Sequence, residues 1–240
     1  MKTKRMIPYV YIFTFLLSCF FVTGQACGVD YLSPQGIAAT SDGSTLYITG
    51  VTGHKVLKFN THRKQIETLR SFDTPIQAVA LSPDKTEVYA ASRDEYGTMF
   101  CLDAETLEIN HRIAVGHTPS SITVSPDGKR LYVCNQFDNT VTVIDAWEHK
   151  PIGEIPVDRE PIAAAISLDG KTLFVANQLP SLPSTVDDVA AVITVIDTIT
   201  QKPVKDISLP NGSNGLKGIC LSPDGKYAYV SHILGRHHVP

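Results

Sequence analysis

Residues 125–145 read SPDGKRLYVCNQFDNTVTVID. Pro126 presets φ at the second position of a turn, Asp127 offers a carboxylate to nearby backbone N–H groups, and Gly128 accepts the positive φ that closes it. Short β-forming runs flank this turn, Ile122-Thr123-Val124 before it and Leu131-Tyr132-Val133 after it. A third run, Thr140 to Ile144, ends at Asp145, and Pro151 to Val157 supplies a short return. The stretch and its flanks therefore predict two consecutive hairpins, four antiparallel strands in about 42 residues.

The same unit recurs along the chain. Aligned on Asp42, Asp84, Asp127, Asp169 and Asp224, the copies are spaced by 42, 43, 42 and 55 residues. Two before each Asp stands a hydroxyl residue: Thr40, Ser82, Ser125, Ser167, Ser222. Gly43, Gly128, Gly170 and Gly225 follow four of the five, with Lys85 in the remaining copy, where it strains the turn. Five after each Asp comes an aromatic ring: Tyr47, Tyr89, Tyr132, Phe174, Tyr229. A ring recurring once per unit reads as packing within or between units. A four-stranded antiparallel unit of this length is one β-propeller blade, in the manner of WD-like repeats. No stretch of helical periodicity competes after the N-terminus.

SPDGKRLYVCNQFDNTVTVID at 125–145 and SLDGKTLFVANQ at 167–178 resemble the YVTN-type β-propeller repeat of secreted bacterial and archaeal proteins, over residues 32–240. The closing stretch, Tyr229-Val230-Ser231-His232-Ile233-Leu234-Gly235-Arg236, is similar to a branch in which the propeller precedes a c-type cytochrome domain. The resemblance implies a ring of about seven blades. The fold class is then all-β, a propeller of four-stranded antiparallel blades. Four repeats, 32–72, 73–116, 117–157 and 158–210, and half of a fifth, 211–240, read as about four and a half blades of an N-terminal fragment. A five-bladed ring closed by the N-terminal strand is the alternative.

Composition sets the remaining bounds. At 240 residues, 43% hydrophobic and 19% charged, the chain has the apolar content for a core. A net charge of −3 gives no basic footprint for nucleic acid. Lys2, Lys4 and Arg5 precede an apolar run from Ile7 to Val22, and Gly24-Gln25-Ala26 offers small residues for cleavage. Residues 1–26 thus read as a signal peptide that exports the protein to the periplasm or cell surface, with an uncleaved anchor as the alternative. Leu16-Leu17-Ser18-Cys19 resembles a lipobox, and Cys27 follows the cleavage site, so membrane attachment is expected only through a lipid anchor at one of these cysteines. Cys101, Cys134 and Cys220 fall in separate predicted strands and read as small buried hydrophobes. There is no C-x-x-C-H motif, so no cofactor is expected in this chain, and haem only in a domain downstream of it.

Length variation locates the functional face. In the fourth repeat 10 extra residues fall between Asn177 and Asp197, and three more before Asp224. All 13 map to the face opposite the Ser-Pro-Asp-Gly turns, with a long insertion from Gln178 to Ala191. Variable loops on a constant frame are where binding resides. That face is acidic, and Arg93, Asp94, His117, Asp138, Arg159, Asp187, Asp188 and His232 are its candidate binding residues, for a protein or small-molecule partner. Asp187-Asp188 is an unspecific calcium pair. Asp42, Asp84, Asp127, Asp169 and Asp224, with Gly128, Gly170 and Gly225, are structural turn residues. His54, His62, His111 and His149 show no paired spacing. Three functions stay open: a non-catalytic exported binding scaffold, the propeller portion of a periplasmic redox protein with a cytochrome domain, and a lactonase-like propeller hydrolase. No catalytic residue is nominated.

Overall fold

The computed structural model describes residues 32–183 and 186–234. The signal segment, Cys19, Cys27 and residues 235–240 lie outside the described residues. Every regular element in the described part is a strand. The first sheet consists of β1 (Pro34–Ala39), β2 (Thr45–Gly50), β3 (Lys55–Asn60) and β4 (Gln65–Ser71). The second has β5 (Ile76–Leu81), β6 (Glu87–Ser92), β7 (Thr98–Asp103) and β8 (Ile109–Ala114). The third has β9 (Pro119–Val124), β10 (Arg130–Asn135), β11 (Thr140–Asp145) and β12 (Lys150–Pro156). The fourth has β13 (Pro161–Ile166), β14 (Thr172–Asn177), β15 (Val192–Asp197) and β16 (Lys202–Ser208), and β17 (Ser213–Leu221) with β18 (Ala228–Leu234) forms a two-stranded fifth. Each sheet is an antiparallel meander in chain order, and the first strands of successive sheets are neighbours. These are propeller blades, with β1, β5, β9, β13 and β17 innermost.

The inner turn is built the same way five times. In the third blade Gly128 N donates to Ser125 O at 2.9 Å, and the Ser125 hydroxyl donates to Asp127 Oδ1 at 2.6 Å while accepting from Arg130 N at 2.9 Å. Gly43, Gly128, Gly170 and Gly225 have φ of +70° to +73°, and Lys85 adopts +65° in their place, as its position in the repeat predicts. Successive turns also touch. A Cβ on Gly128 would lie 3.5 Å from Pro83, one on Gly170 3.4 Å from Pro126, and one on Gly225 3.4 Å from Leu168.

The outer turns are equally regular. Asp145 Oδ1 accepts from Trp147 N and Glu148 N, both at 3.0 Å; Asn60, Asp103 and Asp197 cap their turns likewise. Lys64, Leu107, His149 and Gln201 then take φ of +52° to +55° or, for Leu107, +58°. A register irregularity recurs at the same point of each outer hairpin, between Lys58 and Phe59, Cys101 and Leu102, Val143 and Ile144, and Val195 and Ile196. Such bulges add local twist.

The core lies between blades. One cluster joins Tyr47 and Val56 of the first blade to Val88, Phe100 and Leu102 of the second. Another joins Tyr89 and Cys101 to Leu131 and Ile144, and a third joins Tyr132 and Val143 to Leu173 and Ile196. The repeated tyrosines are therefore inter-blade packing, and the Tyr47 hydroxyl donates across the boundary to Ala104 O at 2.8 Å. Thr49 of β2 donates to Gln77 O, and Ser120 donates to Pro161 O and Thr123 to Ala164 O between innermost strands, stitching successive blades together. Two expectations need correction in the fifth sheet. Tyr229 is 60% exposed, and Cys220 is exposed where Cys101 and Cys134 are buried, because among the described residues no following blade packs against this sheet.

Three outcomes test this frame. Gly128→Val should cost about 2 kcal/mol, since a β-branched residue resists positive φ and meets Pro83; urea denaturation measures it. Lys85→Gly should gain about 0.5–1 kcal/mol in the same assay by removing a left-handed lysine. The third concerns acid. Hydrogen bonds from Thr40, Ser82, Ser125, Ser167 and Ser222 hold the five inner-turn carboxylates below the usual range. Backbone N–H groups of Thr106, Glu148 and Thr200 do so for Asp103, Asp145 and Asp197. Depressed native pKa values stabilise the fold above the unfolded carboxylate pKa, and that contribution disappears as pH falls through the native values. The urea midpoint should be flat above about pH 5 and fall below about pH 4, with a shallower fall when these aspartates are replaced by asparagine.

Candidate functional site

The face opposite the inner turns is formed by the β2–β3, β6–β7, β10–β11 and β14–β15 connections and by the links between blades. Its lengths follow the sequence expectation. Residues 178–191 all fall between β14 and β15, and the other extra residues lengthen β17, nine residues against six for β5, β9 and β13. The insertion is fastened at both ends. Gln178 N donates to Glu160 O at 2.8 Å, the Arg159 guanidinium reaches Pro180 O at 3.5 Å, and Ser181 bonds Asp158. At the far end Asn211 Nδ2 donates to Asp187 O at 2.8 Å, Val189 N donates to Asn211 Oδ1 at 3.0 Å, and Ala191 N donates to Ser213 O at 2.8 Å. The loop therefore spans the links on either side of the fourth blade.

The nominated residues group by neighbouring blades. Asp94 Oδ2 accepts from Thr74 at 2.6 Å and its Oδ1 from Ser92 at 3.1 Å, while Arg93 is exposed beside it. Asp138 Oδ2 accepts from His117 N at 2.6 Å, and the His117 ring stands edge-on to Phe137 at 5.3 Å. Arg159, Asp187 and Asp188 are exposed around the insertion, and His232 is exposed on β18. Among the described residues no three His, Cys, Asp or Glu side chains converge as a metal would require. Asn135 and Asn177, at the place His232 takes in the fifth copy, are buried. Asn135 Nδ2 donates to the Thr140 and Thr142 hydroxyls and its Oδ1 accepts from Gly116 N, so this position ties a blade to its link.

Two groups escaped sequence reasoning. The Gln136 amide lies 3.2 Å from Glu160 Oε2 and 3.0 Å from the Gln178 amide, so the residues after Asn135 and Asn177 meet across the third and fourth blades. Their equal place in consecutive repeats was a usable signal. The second group is His111 and His149, which show no paired spacing in the sequence. Their rings stack at 3.8 Å and 15°, and His149 Nε2 lies 3.9 Å from Glu87 Oε1, whose partner oxygen accepts from Tyr89 at 2.9 Å. They belong to different blades, and spacing within one blade carries no trace of such a pair. Burial pushes the Cys101 and Cys134 thiols up to about 12, which keeps them protonated and unreactive at neutral pH.

Comparison with curated proteins finds no match. Among solved structures, a chain of Kuenenia stuttgartiensis hydrazine synthase superposes with a TM-score of 0.80 at 27% identity, over 92% of this chain and 61% of that one. The present chain thus spans about three fifths of that chain's length, and the likeness agrees with the propeller architecture. A family model, the choice-of-anchor I domain, matches residues 35–157, from the first strand through the link that closes the third blade. With just over half its length under that model, this β-propeller chain belongs to the choice-of-anchor I domain family.

Proposed function

We propose that the chain is an exported, non-catalytic propeller that acts as a binding scaffold, its partner engaging the acidic variable face. The observation that carries this reading is the insertion at 178–191, the one long departure from the repeat, fastened to two inter-blade links. A surface so held is pre-organised, which lowers the entropic cost of binding. Membership in a family described by its choice of anchor supports a place at the cell surface. A periplasmic location, a lipid on Cys19 or Cys27 and the narrower YVTN-type repeat are the finer parts of this reading. The charge of the face favours a cationic or basic partner.

Deleting residues 179–188 provides the test. It leaves Gln178, Val189, Ala190 and Ala191 between β14 and β15, matching the four residues from Gln136 to Asn139 in the third blade. The deleted chain should melt within a few degrees of the intact one. In a thermal-shift screen of divalent cations and an oligolysine peptide, a stabilising ligand should lose its effect on the deletion variant and on Asp187→Asn/Asp188→Asn. An equal shift in all three proteins would overturn the proposal.

A second reading is favoured by the structural likeness to hydrazine synthase, whose matching chain is longer than this one. In it the chain is the propeller portion of a periplasmic redox protein that carries a c-type cytochrome domain downstream. The visible spectrum of the protein isolated from its source decides, since this reading requires a Soret band and the scaffold reading does not.

A further inference from the structure

A groove among the described residues lies beside the link between the first and second blades. It is a wedge of about 490 Å³ at the rim, between β4 of the first blade and β8 of the second. Its apolar floor and sides come from Phe72, Phe100 and Ile109, with the Phe72 and Phe100 rings 4.9 Å apart and tilted by 58°. Two guanidinium groups line it, and strand register shows why. Arg70 stands opposite Val56 on β3, and Arg112 stands opposite Phe100 on β7. Directly opposed residues share a sheet face, and Val56 and Phe100 both belong to the cluster between the first two blades. Arg70 and Arg112 therefore enter the wedge from opposite walls. The Arg112 guanidinium lies 5.3 Å from the Phe100 ring centroid, a cation–π contact that steadies it.

Neither arginine has a carboxylate within ion-pair distance among the described residues, whereas Arg63 pairs with Glu67 and Arg130 with Asp145. Asp73 lines the same groove, leaving one net positive charge there. The adjacent wedge, between the second and third blades, is smaller at about 300 Å³ and is walled by Pro151, Gly153 and Glu154 without any cationic residue. The arginine pair is thus particular to one boundary and is no product of the repeat.

We propose that this wedge binds a small organic anion carried on a flat apolar body, such as an aromatic carboxylate. The guanidinium groups would grip the anionic head, since Arg matches a carboxylate with paired donors. The phenylalanines and Ile109 would cover the ring. The volume falls in the range of small-molecule sites, and this site meets the variable face only at the link residues Phe72, Asp73 and Thr74.

Calorimetric titration of the full chain with naphthoate tests it, with the uncharged isostere naphthalenemethanol as control. Naphthoate should bind and displace anilinonaphthalene sulfonate, and naphthalenemethanol should do so at least about tenfold more weakly, the equivalent of one charge-assisted hydrogen bond. Arg70→Gln/Arg112→Gln should weaken naphthoate by about tenfold or more, and Arg70→Lys/Arg112→Lys by less. Thermal melting checks that each variant is folded. Because Arg112 rests on Phe100, the comparison of the two ligands on the unaltered chain decides the matter even if the glutamine variant fails to fold. Equal affinity for acid and alcohol, no naphthoate binding, or an unchanged affinity in a folded glutamine variant would overturn the proposal.

Discussion

The Ser125 hydroxyl holds two bonds at once, donating to Asp127 Oδ1 at 2.6 Å and accepting from Arg130 N at 2.9 Å. Its counterparts at Thr40, Ser82, Ser167 and Ser222 do the same. Each bond pair ties the residue just after an innermost strand to the start of the next strand or the residue before it, and so fixes hairpin register. Register is decisive in a blade whose two faces meet different neighbours, because a slip of one residue exchanges the faces. With the turn set, Leu131 and Val133 fall in the cluster shared with the second blade, and Tyr132 and Cys134 in the one shared with the fourth. The inter-blade core is therefore a consequence of turn chemistry at the inner rim, repeated once per blade.

This explains which parts of the molecule the sequence made legible. Turns, strands and blade boundaries depend on residues close in the chain, and their chemistry repeats, so five copies report one geometry. Lys85 is the sharpest case: its backbone reaches φ of +65° because four glycines elsewhere reveal what the position demands. Contacts between blades leave no such trace. His111 and His149 meet because β8 and the β11–β12 turn lie side by side, and Arg70 and Arg112 face one another across 42 residues of chain. The burial of Cys220 was misread for a related reason. A repeat predicts the neighbours a strand has in an average blade, and among the described residues β17 has no following blade beside it.

Ionisable groups on the two faces of the propeller are used differently. On the turn face the aspartates are committed to local backbone and hydroxyl donors, which is why their carboxyls titrate low while remaining largely solvated. They are structural anions, each with Oδ1 engaged by the turn. On the opposite face Arg93, Asp187 and Asp188 are exposed at loops whose backbone is held by other residues, such as Asn211. Side chains free of a structural task can vary without cost to the frame, and a binding surface needs that freedom.

The rim wedge adds a different kind of variation. Outer strands of a propeller splay, so the space between them must be filled by side chains or left to solvent. Between the second and third blades Pro151 and Gly153 bring the wall close with little side-chain bulk. Between the first and second the same space is kept open and lined by long cationic side chains over two phenylalanine rings. Two guanidinium groups directed at one space repel each other, and Asp73 offsets only one of the two charges. A sequence under pressure for stability alone would balance both charges or close the gap. Keeping both the charge and the opening is physically coherent when a charged, flat ligand supplies the missing partner, and the fold sets this boundary apart from its neighbour on that ground.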